Sequence, residues 1–101
     1  MNTEKVSKEV DIATIDPEGD LVAAKLPVLR SRLRALVNLG ILHLTMDLSG
    51  TTMVDSAGIG LLIATHNSLK KVGGELTVIH ASKDILDLFR TMRINQHFSV
   101  S

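Results

Sequence analysis

Between Leu42 and Leu69 the hydrophobic period of the chain changes once, from two residues to about 3.6, and it changes across a short loop. Leu42, Leu44, Met46 and Leu48 alternate with His43, Thr45 and Asp47, the pattern of a strand with one buried face. Beyond the loop, Ile59, Leu62, Ile63, His66 and Leu69 recur at helical spacing, which predicts a helix over 57–72 closed by Gly73-Gly74. This segment therefore reads as strand, loop and helix. Asp55 or Ser56 falls at the helix N-cap, where backbone N–H groups are free to bond an oxygen. Ser56 is expected as a surface hydroxyl on a rigid mount, beside a carboxylate.

The rest of the chain extends the same alternation. Residues 6–15, with Val10 and Ile12 set against Asp11 and Ala13, read as one or two short edge strands, and Pro17 and Gly19 mark a turn. Leu26, Leu29, Leu33, Leu36 and Val37 predict a first helix over 24–39, with Pro27 tolerated in its first turn and Gly40 as its stop. Strands follow at 41–48 and 75–80. Ser82 caps a helix over 82–92 whose buried stripe is Ile85, Leu88, Phe89 and Met92, and 97–100 reads as a last strand. Alternating strands and helices argue for crossover units and a mainly parallel or mixed sheet of four to five strands. Polar residues interleave within the strands, whereas a sheet covered on both faces reads as continuous apolar runs. The expectation is a two-layer α/β domain, single over 1–101, with helices packed mostly on one face. The other face would carry His43, Thr45 and Thr77 with Ile41 and Ile79, partly shielded by the N-terminal segment.

Composition removes several classes of function. Phe89 and Phe98 are the only aromatic residues, so the core is aliphatic and stacking on exposed bases has no platform. Eleven basic and eleven acidic residues cancel, removing the broad positive field that drives binding to phosphate backbones, so no direct nucleic acid partner is expected. No cysteine is present for disulfide, thiolate or redox chemistry. No apolar run approaches the roughly 18 residues of a membrane span and no signal peptide precedes the domain, so cytoplasmic localisation without membrane insertion is expected. His43, His66, His80 and His97 lack the paired spacing of metal ligands, so neither a metal nor a cofactor is expected. Ser56 and Asp55 with a histidine do not make a triad on this pattern: the two are adjacent, and no Gly-x-Ser-x-Gly elbow occurs. An enzyme is not expected. Arg30, Arg32 and Arg34 lie around one helix and read as a solvated, salt-bridged surface.

The segment 19–98 resembles the STAS domain, in particular the stand-alone bacterial anti-sigma factor antagonists. Asp47-Leu48-Ser49-Gly50 followed by Val54-Asp55-Ser56-Ala57-Gly58-Ile59-Gly60 carries the resemblance. Gly19-Asp20-Leu21, Pro27 with Leu29-Arg30-Ser31-Arg32-Leu33, and Gly73-Gly74-Glu75-Leu76 support it. The resemblance implies that Ser56 is phosphorylated by a partner that is both serine kinase and anti-sigma factor. It implies that the unphosphorylated form binds that partner and frees a sigma factor, and that a serine phosphatase resets the switch. On the same ground Asp20, Asp55, Ser56, Ala57, Gly58 and Gly60 form the partner surface. Gly58 and Gly60 also admit a structural reading, since glycine in a helix costs roughly 1 kcal/mol relative to alanine: close approach of a partner or tight packing on the sheet would each explain them. Two departures from the family pattern stand out. Val22 occupies a position that often holds Asp, and Ser101 ends the chain where members commonly continue into another helix, as in a short or a cut version. The alternative function is a constitutive accessory STAS subunit of a membrane transport system of the lipid-asymmetry type.

Overall fold

The structure, a computed structural model, describes residues 4–7 and 11–101. Strands β1 (Glu4–Ser7) and β2 (Ile12–Ile15) precede a 3-10 turn at Ala23–Lys25 and helix α1 (Leu26–Leu39). Then come β3 (His43–Asp47), α2 (Ser56–Lys70), β4 (Glu75–Ile79), α3 (Lys83–Thr91), a second 3-10 turn at Ile94–Gln96 and β5 (Ser99–Val100). The five strands lie in chain order; β1 is antiparallel to β2 and the later pairings are parallel. Parallel neighbours need a crossover, and α1, α2 and α3 supply one each. Crossovers that all step the same way along a sheet with the same right hand deliver their helices to one face.

Burial follows that layout. Register aligns Ala13, Leu44 and Leu76 in one row and Ile15, Met46 and Val78 in the next, all buried. Leu29, Leu33 and Leu36 of α1, Ile59, Leu62 and Leu69 of α2, and Ile85 and Phe89 of α3 close over these rows in one cluster. On the other face His43 and Glu75 are exposed neighbours, with Nδ1 and Oε1 3.4 Å apart, and Thr14, Thr45 and Thr77 are half-buried in line. His66, expected on the helix stripe, is buried against Phe98 and His97 with ring centroids 5.6 and 6.5 Å away. Burial, then the charges of Lys70 and His97, hold its pKa below the ordinary histidine value.

Several expectations need correction. Ile41 was expected on the open face, yet it is fully buried, because β3 starts only at His43 and the Ile41 amide bonds the Leu36 carbonyl at 3.2 Å beneath the end of α1. Leu42 is half-buried for the same reason. Met92 is 47% exposed because α3 stops at Thr91, one residue before the stripe would return to the core. Both N-terminal strands form, but only β1 is an edge; β2 pairs on both sides, and Val10 lies outside the described residues. The last strand begins at Ser99, since 94–96 winds into a 3-10 turn that buries Ile94 and leads into the buried Phe98.

Gly74 shows how tightly the layers meet. Its amide bonds the Leu69 carbonyl at 2.8 Å as α2 ends, and a Cβ there would run into the Leu42 carbonyl oxygen, which accepts the Glu75 amide at 2.8 Å. The turn is needed, and so is the missing side chain. Gly74→Ala is expected to destabilise the fold by about 2 kcal/mol, read as a lower urea midpoint with an unchanged slope; a midpoint equal to wild type would refute the close approach.

Candidate functional site

Two loops meet at the C-terminal end of β3. One is 48–55, between β3 and α2; the other is 16–22, between β2 and the first 3-10 turn. They exchange hydrogen bonds as a short parallel bridge, with the Leu21 amide on the Met53 carbonyl at 3.0 Å and the Asp55 amide on the Leu21 carbonyl at 3.1 Å. Thr51, buried, donates its hydroxyl to the Gly19 carbonyl at 2.8 Å.

A carboxylate from each loop completes the lacing. Asp20 Oδ1 accepts the Thr52 amide at 3.0 Å, the Thr52 hydroxyl at 2.9 Å and the Met53 amide at 3.0 Å. Asp55 is the N-cap of α2: its Oδ1 accepts the Gly58 amide at 2.9 Å, while its Oδ2 crosses to the other loop and accepts the Ala23 amide at 3.1 Å. One side chain thus serves two helical starts. Val22, where an acid is common in the family pattern, is the N-cap of the 3-10 turn and makes no side-chain cap bond; Asp55 reaches that turn from across the loops. The Thr52 amide first, then its hydroxyl and the Met53 amide, hold the Asp20 carboxyl below the usual carboxylate range. The Gly58 and Ala23 amides do the same for Asp55.

Ser56 is the first residue of α2, exposed, and its hydroxyl makes no hydrogen bond to any described residue. Two other hydroxyls of the loop are engaged, Thr51 with Gly19 and Thr52 with Asp20, while Ser49 gives its amide to Asp47. Asp47 is opposed in its ionisation by partial burial, yet the amide and hydroxyl of Ser49 and the nearby His80, with Nδ1 at 3.1 Å, keep its carboxyl low. Asp55 orients no histidine, since both of its oxygens face backbone amides. Among the described residues no group of three or more histidine and acidic side chains could hold a metal.

The six residues expected at the partner surface come together but divide by depth. Ser56, Ala57 and Gly60 are exposed, Asp20 and Asp55 are half-buried in the lacing, and Gly58 is buried. The two glycines also part company. A Cβ on Gly58 would strike the Leu21 carbonyl oxygen, whereas one on Gly60 would meet nothing within 4 Å. Packing accounts for Gly58 alone. Sequence reasoning passed over Met53, which is 59% exposed on the same loop. Its signal was the adjacent Met53-Val54 pair in a loop, where only one of two neighbours on a bridge strand can point inward, and Val54 is the buried one.

The STAS domain family model matches residues 5–101, and the chain belongs to the STAS domain family. The anti-sigma-B factor antagonist of Bacillus subtilis (strain 168) is 30% identical over 89 residues, covering 88% of this chain and 80% of that protein. The fold matches the Thermotoga maritima protein TM1081 with a TM-score of 0.87 at 14% identity, over 96% of this chain and 82% of that one. It also matches the Bacillus anti-sigma factor antagonist SpoIIAA. The unphosphorylated form gives a TM-score of 0.75 at 16% identity over 96% and 83% of the two chains; the phosphorylated form gives 0.71 at 16% over 91% and 84%.

Two expected outcomes test the lacing. Depressed carboxyl pKa values mean that the unfolded chain binds more protons in acid, so Asp20 and Asp55 contribute stability above about pH 4 that is lost as pH falls further. Asp20→Asn and Asp55→Asn are expected to flatten this acid limb in thermal melts recorded against pH, and an unaltered limb in both would count against the lacing. Gly58→Ala is expected to destabilise by about 2 kcal/mol. Gly60→Ala should instead stabilise by about 0.5 to 1 kcal/mol; equal effects at the two glycines would show that the loop contact does not discriminate between them.

Proposed function

We propose that this protein is an anti-sigma factor antagonist whose binding to an anti-sigma factor with serine kinase activity is controlled by phosphorylation of Ser56. The observation that carries the reading is the Ser56 side chain itself, exposed on the first turn of α2 with a hydroxyl that bonds no described residue, while the nearby Thr51 and Thr52 hydroxyls are engaged. The relationship to the anti-sigma-B factor antagonist supports it.

The physics of the switch follows from the mount. A phosphate adds about −1.5 to −2 charges at neutral pH. The helix N-terminus partly accommodates that charge through its dipole and its N–H groups. Asp55 is already committed to Gly58 and Ala23, so the loop need not rearrange to receive it. A partner surface shaped to a neutral hydroxyl then meets an unpaired dianion at its centre, and each 1.4 kcal/mol of penalty is about tenfold in affinity. Ser56, Ala57 and Gly60 form the contact face in this reading, with Met53 as an apolar anchor beside them. A serine phosphatase restores the binding form.

With a cognate serine kinase and ATP, mass spectrometry is expected to find one phosphate, on Ser56. Ser56→Ala should keep its affinity for the anti-sigma kinase in calorimetric titration. Ser56→Asp should fold, since a carboxylate suits a helix N-terminus, and bind at least about tenfold more weakly. Equal affinities for the two folded variants, or a phosphate on Ser49 or Thr52, would favour a constitutive docking subunit over a switch.

A further inference from the structure

We infer that the groove between α1 and α2 is a second docking surface, taking a carboxylate-bearing amphipathic segment of the same partner protein that contacts Ser56. This rests on the switch reading above and extends it to a surface that reading does not use.

The chain is neutral overall, yet its charges are segregated. No Asp or Glu occurs from Leu21 to Met46 or from Ser56 to Gly74, and these stretches carry Lys25, Arg30, Arg32, Arg34, Lys70 and Lys71. Helices α1 and α2 are therefore purely basic. The three arginines, expected to form one salt-bridged surface, do not behave alike. Arg32 turns to Glu4 on β1, with Nε 3.6 Å from the carboxylate. Arg30 and Arg34 are exposed, make no ion pair with any described residue, and line a groove of about 350 Å³ between the helices.

The groove has the chemistry of a protein-binding cleft. Its apolar lining comes from Leu33 and Val37 of α1 and from Leu61 and Ala64 of α2. The Thr65 hydroxyl is spent on the Leu61 carbonyl at 2.8 Å, so it offers no competing donor. Two guanidiniums one helical turn apart, about 6 Å along the axis, suit carboxylates at the same spacing on a facing helix, each able to pair bidentately. An apolar stripe flanked by such acids would fill the groove and neutralise its wall. Leu61 lies about 7.5 Å beyond Ser56 along the α2 axis but about 140° round it. The link between the two surfaces is Ala57, on the contact face of the switch reading and one turn before Leu61 on the same side of the helix.

The test is calorimetric titration of the full chain with its cognate anti-sigma kinase at low and high salt. Arg30→Gln/Arg34→Gln is expected to weaken binding at least tenfold at low salt and to flatten its salt dependence, with an unchanged thermal melt. Ala64→Glu, which places a like charge in the groove from the opposite helix, should weaken binding independently; Lys83→Gln on α3 should not. If both groove variants bind within twofold of wild type while Ser56→Asp still binds weakly, the groove proposal is overturned and the switch stands. If Ser56→Asp also binds normally, both readings fall. A concentration-dependent dimer in sedimentation, or binding to anionic vesicles, that is lost in Arg30→Gln/Arg34→Gln would give the groove to another occupant and overturn the proposal.

Discussion

Asp55 holds together parts of the chain that nothing local would join. Its two oxygens accept amides from opposite sides, Gly58 in the first turn of α2 and Ala23 at the approach to α1. Asp20 answers from the other loop through Thr52 and Met53. Because each carboxylate is tied to the partner loop, neither loop can shift without breaking charge-assisted bonds in the other. The Leu21 carbonyl is held against α2 closely enough that Gly58 can carry no side chain. Ser56 inherits its placement from this arrangement while taking no part in it. A hydroxyl that supports nothing can be modified without dismantling what supports it.

How far this was legible in the chain depends on the range of each interaction. The strand, loop and helix around Ser56 are local patterns that could be read directly, whereas the cap could be narrowed only to Asp55 or Ser56, and the Gly58 amide on the Asp55 carboxylate decides between them. The one-sided sheet followed from the polar residues interleaved in the strands. Ile41 and Met92 were misplaced because a periodic stripe does not show where an element stops, and each lies just outside its strand or helix. The hydrogen bonds of Asp20 span more than thirty residues, and no spacing in the sequence announces them. The same holds for the arginines: which of the three is neutralised depends on β1 placing Glu4 beside Arg32.

The acid-free stretches 21–46 and 56–74 are legible along the chain, but only the fold shows that Arg30 and Arg34 line one groove while Arg32 is taken up by Glu4. A balance of eleven against eleven rightly argues against a uniform field around the molecule, but it conceals two helices without an acid between them. The described acidic residues instead lie in the loops and on the remaining elements, among them Asp20 and Asp55 at the lacing. Long-range steering is weak in such a molecule, and short-range complementarity on the helical face has correspondingly more weight.

The strand order has a consequence for what kind of recognition this fold can perform. In doubly wound sheets the order reverses, successive helices leave to opposite faces, and a crevice opens between the diverging loops, where nucleotides and other small ligands settle. Here the strands run in chain order with the helices on one side. The loops above β3 therefore have no counterpart departing the other way, and they close over the strand ends by bonding to one another. What they present is an edge tied together by hydrogen bonds between the two loops. An edge of this kind suits the surface of another protein better than a small ligand, and in the proposed switch the change of charge falls on Ser56, a side chain already in view.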